Sequence, residues 1–111
     1  MSSEACLVFY GVKTQLSESD VDSLERRVHP MMRKAKEHSL DFYWTYDSNK
    51  SDCIFAYTGR RIGVIGPENV LSMRLTDAEV RTMIEDVSRR IEGAAISGGC
   101  FIHLDFLPDN D

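Results

Sequence analysis

The segment that follows Thr76 constrains the fold most strongly. Thr76 and Glu79 have the spacing of a capping box, in which each side chain bonds the other residue's backbone N–H. Apolar residues then recur with helical spacing, at Val80, Met83, Ile84, Val87 and Ile91. This pattern predicts a helix that ends near Gly93 to Ala95. Because only one side of the helix is apolar, that side must pack against another layer.

A second helix is predicted to begin at Ser17 to Asp20 and to include Ala35. Ser17 to Asp20 has the composition of a helix N-terminus, and apolar residues follow at Val21, Leu24, Val28, Met31 or Met32, and Ala35. Pro30 lies within this pattern, so we expect a kink or a break near Arg27 to His29, giving two collinear or slightly bent pieces. The alternative is that Pro30 starts a second short helix.

The remaining apolar segments predict strands. They cover residues 5–12, 41–46, 53–57, 61–65, 70–75 and 100–107, with a tight turn at Gly59-Arg60. The order β-α-β-β-β-β-α-β predicts an α+β two-layer sandwich, with two helices on a mostly antiparallel sheet. The terminal strands are the most apolar, and we expect them to be neighbours near the middle of the sheet.

Length and charge narrow the class of protein. The 111 residues fit a single α+β domain, 1–111, with an acidic C-terminal tail at about 108–111. Lys and Arg number 13 against 18 Asp and Glu, a formal net charge of −5, which argues against binding nucleic acid through its phosphates. Apolar runs are too short to cross a membrane, and we expect a small soluble cytoplasmic protein.

The cysteines and glycines indicate neither a metal nor a cofactor. Cys6, Cys53 and Cys100 are an odd number of cysteines within apolar runs, which is typical of reduced, buried thiols, and they lack metal-ligand spacing. The glycines between residues 59 and 66 precede no Lys-Ser or Lys-Thr pair, so they indicate turns rather than a phosphate-binding loop. We therefore expect no metal and no cofactor.

Aromatic and basic residues in the central strands predict a binding surface. Trp44 and Tyr46 share one side of a strand, Tyr57 lies on its expected partner strand, and Arg60 and Arg61 follow in the expected turn. Tyr and Trp provide a large contact area together with one polar atom, which suits protein recognition. These five residues are the predicted partner-binding set.

A non-enzymatic protein-interaction module, either inhibitor-like or an adaptor, is the favoured function. The small size, acidity and lack of catalytic motifs are similar to those of bacterial immunity and inhibitor proteins as a class, a resemblance of composition only. Acidic residues such as Asp47, Asp52 and Asp109 would steer a basic protein partner. A homodimer formed through an exposed edge strand or aromatic face is a further alternative.

The second hypothesis is a small anionic-ligand-binding domain or a minor enzyme. His103 and Asp105 lie two residues apart on the last predicted strand, so both side chains are on one face and could act as a base and its orienting acid. Arg60 and Arg61 would complete this alternative ligand site by binding the anion. Solvent-exposed polar positions on a strand explain the same pattern without a site.

Overall fold

In the part of the chain that the structure describes, one antiparallel sheet and two helices form two layers, which confirms the predicted α+β class. The computed structural model describes residues 5–17, 21–47, 50–66 and 74–107. Its elements are β1 (Ala5–Ser17), α1 (Val21–Glu37), β2 (Asp41–Asp47), β3 (Lys50–Ile65), α2 (Asp77–Gly93) and β4 (Phe101–Leu107). The four strands have the spatial order β2-β3-β1-β4. Within these residues neither helix is long and apolar enough to cross a lipid bilayer.

Both helices pack on the same face of the sheet, but over different strands. α1 lies over β2 and β3, where Leu24 and Val28 are buried against Ile54. α2 lies over β1 and β3, where Val87 and Ile91 are buried with Tyr10. The predicted capping box at the start of α2 is formed, and the helix ends at Gly93 as predicted.

The first helix is continuous, so the expected break at Pro30 is wrong. α1 extends from Val21 to Glu37 with Pro30 inside it. A proline removes the hydrogen bond to the carbonyl four residues earlier, here that of Arg26. Pro30 and Arg26 are both exposed, so water can bond that carbonyl, and the buried side of the helix remains apolar on both sides of the proline.

The two strands predicted at 53–57 and 61–65 are one strand, β3. No turn occurs at Gly59-Arg60, because β3 pairs there with β1 on one side and with β2 on the other. Gly59 is opposite Gly11 of β1 and opposite Asp41 of β2. Most of the predicted strand 70–75 lies outside the described residues, and Arg74 and Leu75 belong to no strand.

The first and last strands, β1 and β4, are neighbours as predicted. Of these two, β1 is an interior strand of the sheet and β4 is not. β1 pairs with β3 and β4, and its side chains at residues 7–10 and at Val12 are buried. Among the described strands β4 pairs with β1 alone and is an edge strand, so its expected place near the middle of the sheet is wrong. The apolar composition of β4 predicts an interior strand, whereas the strand order leaves one of its two edges without a described partner strand.

Gly11 and Gly59 allow β1 and β3 to approach closely at the centre of the sheet. A Cβ atom on Gly11 would lie 2.1 Å from the carbonyl oxygen of Thr58, and one on Gly59 would lie 2.1 Å from that of Tyr10. Backbone atoms cannot move aside as the end of a flexible side chain can. A side chain at either position therefore requires the two strands to separate.

We predict that Gly11→Ala lowers the free energy of unfolding by about 2 kcal/mol or more, because the added methyl group overpacks a backbone contact. Gly93→Ala is the matched control: no atom lies within 4 Å of a Cβ built there, and alanine is the better helix former. Urea unfolding followed by circular dichroism measures both. Equal stability of the two variants would contradict the close approach.

Candidate functional site

The sheet face without helices carries an aromatic cluster. Phe9 and Tyr57 are buried there with ring centroids 5.7 Å apart, and Tyr43 lies 6.0 Å from Tyr57 on the next strand. Leu7 completes the buried part of this cluster. No helix residue belongs to it in the described chain, so these side chains are buried by one another and by their strand neighbours.

A carboxylate joins three strands beside this cluster. The Tyr57 hydroxyl donates a hydrogen bond of 2.6 Å to Asp105 Oδ2, and the Lys13 ammonium donates one of 2.8 Å to the same oxygen. Lys13 belongs to β1, Tyr57 to β3 and Asp105 to β4. The Lys13 ammonium also lies 4.4 Å from the centre of the Phe55 ring, a cation–π contact. This polar group connects the edge strand β4 to its neighbour β1 and to β3, which lies one strand further in.

The surroundings shift the pKa of both acidic groups, in opposite directions. Burial alone raises the pKa of Asp105, but the hydrogen bonds from Lys13 and Tyr57, with the positive charge of Lys13, outweigh it and lower the pKa below its usual value. Burial raises the pKa of the Tyr57 hydroxyl, and its bond to the Asp105 carboxylate raises it further. At neutral pH the pair is therefore a carboxylate and a neutral phenol.

His103 and Asp105 share one face, as predicted, but they bond to different groups. The ring Nε2 of His103 lies 3.0 Å from the Gly11 carbonyl oxygen, and since a carbonyl only accepts, Nε2 carries the proton. Asp105 accepts from Lys13 and Tyr57 instead. The structure thus gives both side chains a role in holding strands together, and it does not form the histidine–carboxylate pair that a general base would use.

We predict that Asp105 makes stability depend on pH in the acidic range. Because folding lowers the pKa of Asp105, its contribution is complete above the pKa of the unfolded chain and is lost as pH falls through the lower, folded value. Asp105→Asn should be less stable than the wild type at pH 7, by about 1–2 kcal/mol, and the difference should shrink on acidification. Urea midpoints from pH 7 to pH 3 measure this. Parallel curves for the two proteins would contradict it.

The predicted partner-binding set is divided between the two faces of the sheet. Trp44 lies on the helix side, half-buried against the cluster of Leu16, Leu24, Val28 and Ile54. Tyr46, on the same side, is 38% exposed and its ring is 5.2 Å from that of Trp44. Tyr57 is on the opposite face and only 2% exposed. Tyr57 is therefore a core residue, and its expected role as a surface contact is wrong.

The two arginines also lie on different sides. Arg60 is on the helix side, 3.6 Å from a carboxylate oxygen of Asp41 and 3.8 Å from one of Asp86 in α2. Arg61 is exposed, and it borders a cavity with Phe9 and Tyr43 of the helix-free face. Since His103 and Asp105 are also on the helix-free face, the structure separates Arg60 from the other members of the alternative ligand site.

An exposed apolar strip on β4 is the surface that the sequence analysis missed. Ile102, Leu104 and Phe106 are on the helix side of the sheet and are 53%, 66% and 75% exposed. α2 lies over β1 and β3, one strand further in. Alternation along the strand groups these three residues correctly, but the sequence carries no signal that β4 is an edge strand which α2 does not cover.

Comparison with protein-family models, with curated proteins and with solved structures found no match to this chain.

Proposed function

We propose that this protein is a non-enzymatic protein-interaction module that binds a protein partner along β4. The exposed strip formed by Ile102, Leu104 and Phe106 carries this proposal. Large apolar side chains on an open strand edge lose contact with water when a partner covers them, which favours association. The side chains of His103 and Asp105, the candidates for acid–base chemistry, are engaged in structural hydrogen bonds, which supports binding rather than catalysis.

The backbone of β4 offers a second means of recognition. An edge strand has unpaired N–H and C=O groups along its outer side, and an added strand can bond them in register. Proteins that must stay monomeric protect such an edge with Lys, Pro or a very short strand. The seven residues of β4 include neither Lys nor Pro. Both its backbone and its side chains therefore suit strand addition.

The other edge of the sheet fits a partner less well. β2 begins and ends with an aspartate, and α1 lies over it. Its helix-side aromatics, Phe42 and Trp44, pack against the core beneath α1, so covering them again would bury little new apolar area. This favours β4 over the surface around Trp44 and Arg60.

The anionic-ligand alternative has less support from the geometry. Arg60, on the helix side, lies within 4 Å of the carboxylates of Asp41 and Asp86, while His103 and Asp105 lie on the other face. The four residues of the alternative ligand site, which also include Arg61, do not converge on one pocket. A ligand present at about 100 times its Kd would raise the free energy of unfolding by about 2.7 kcal/mol, so a thermal-shift panel of nucleotides, organic acids and sugar phosphates would reveal this function.

The test of the interaction proposal is site-specific photocrosslinking of the full chain in cells. A benzophenone amino acid replaces Leu104, and in the matched control it replaces Glu92, an exposed residue of α2. We expect a covalent adduct with a polypeptide, either another protein or a second copy, at position 104 and not at position 92. Absence of any polypeptide adduct at position 104, or equal adducts at both positions, would refute binding along β4.

A further inference from the structure

We propose that the partner on β4 is a second copy of this chain, paired antiparallel about a two-fold axis at Leu104. This inference rests on the proposed function of β4 as a binding surface. It also specifies the register of the contact: Ile102 opposite Phe106 of the second copy, and His103 opposite Asp105 of the second copy. Two sheets of four strands would then form one continuous sheet.

Symmetry restricts the register before chemistry is considered. Two antiparallel edge strands related by a two-fold axis perpendicular to the sheet present the same face to the same side. Each residue therefore meets a residue from its own face, and the axis passes beside one residue that is opposite itself. Near the middle of β4 this residue is His103, Leu104 or Asp105.

Chemistry selects Leu104 among these three. An axis at Asp105 would place two carboxylates directly opposite each other, and an axis at His103 would place two imidazoles opposite each other, and like groups in such positions are unfavourable. An axis at Leu104 places leucine against leucine and the two other members of the apolar strip against each other. It also places His103 of each copy opposite Asp105 of the other copy, which gives two imidazole–carboxylate pairs.

The hydrogen bonds within one copy leave groups available for this contact. Asp105 accepts its two bonds at Oδ2, and Oδ1 has no partner among the described residues. His103 uses Nε2 toward Gly11, which leaves Nδ1 without a partner in the same part of the chain. The Nδ1 side of the ring would face the carboxylate of the second copy. The strand is thus complementary to itself in apolar character and in the pairing of a basic with an acidic side chain.

A partner of a different sequence would need its own apolar strip on one face and its own imidazole and carboxylate on the other, in the reverse order along its antiparallel strand. A second copy supplies them through the symmetry of β4 about Leu104, with Ile102 and Phe106 on one face and His103 and Asp105 on the other. The three residues of the strip are all more than half exposed, so each can gain a cross-strand neighbour. This self-complementarity is the observation that favours a second copy.

Cysteine crosslinking of the full chain tests the register. Directly opposed Cα atoms in antiparallel strands are about 4.5–5.5 Å apart, within the range that a disulfide spans. Leu104→Cys should therefore form a disulfide-linked dimer on mild oxidation. Ile102→Cys and Phe106→Cys should each give little dimer alone but should crosslink when mixed. Wild-type protein, oxidised in parallel, gives the background from Cys6, Cys53 and Cys100.

Sedimentation equilibrium of the unoxidised protein provides an independent measurement. Leu104→Lys would place two ammonium groups at the axis and should raise the dimer dissociation constant about tenfold or more. Thr82→Lys is the control, since it adds the same charge at an exposed position of α2. Circular dichroism checks that each variant is folded. The dissociation constant of the control should equal that of the wild type.

The outcomes separate this inference from the proposed function. A dimer with the expected pattern of disulfides supports both. A dimer in which Ile102→Cys or Phe106→Cys crosslinks efficiently to itself overturns the register at Leu104. A monomer in solution that crosslinks to a different protein through position 104 overturns the second copy as partner and leaves the interaction function intact. A monomer without any adduct at position 104 refutes both.

Discussion

The pairing of β1 with β3 is the interaction on which the rest of the structure depends. These long strands are in register from Cys6 to Ser17, with a single bulge after Val8, and Gly11 and Gly59 bring them together at the centre. β2 pairs with the other edge of β3, and β4 pairs with the other edge of β1. Each helix packs on β3 and one neighbouring strand. A disturbance of this pair would therefore affect both layers.

The two faces of that central pair serve different purposes. On the helix side, Tyr10 and Ile54 form part of an ordinary apolar core beneath α1 and α2. On the other side, Phe9 and Tyr57 are buried without help from a helix, and the tyrosine hydroxyl is directed into the polar group around Asp105. The helix-free face thus combines aromatic packing with a charged group that connects it to β4. The strand that is least covered by other elements, β4, is therefore held in place by polar side-chain contacts.

Local chemistry made much of the fold predictable from the sequence. The capping box at Thr76, the end of α2 and the alternation along β4 depend on residues close together in the chain, and these predictions are confirmed. The predictions that are wrong depend on how parts of the chain that are distant in sequence come together in the fold. Pro30 is tolerated because its side of α1 faces water, and Gly59 continues a strand because Gly11, distant in sequence, lies opposite it. The candidate residues could be assigned to faces, but the strand order decided which faces are covered.

The one-sided attachment of β4 has a consequence for the dynamics of the molecule. Among the described strands β4 pairs with β1 only, and three side-chain hydrogen bonds anchor it further: those from Lys13 and Tyr57 to Asp105, and that from His103 to the Gly11 carbonyl. Opening of this strand breaks one ladder and these three bonds while the sheet formed by β1, β2 and β3 stays intact. The amide hydrogens of β4 should therefore exchange with solvent through local opening, whereas those shared by β1 and β3 exchange only when the whole molecule unfolds.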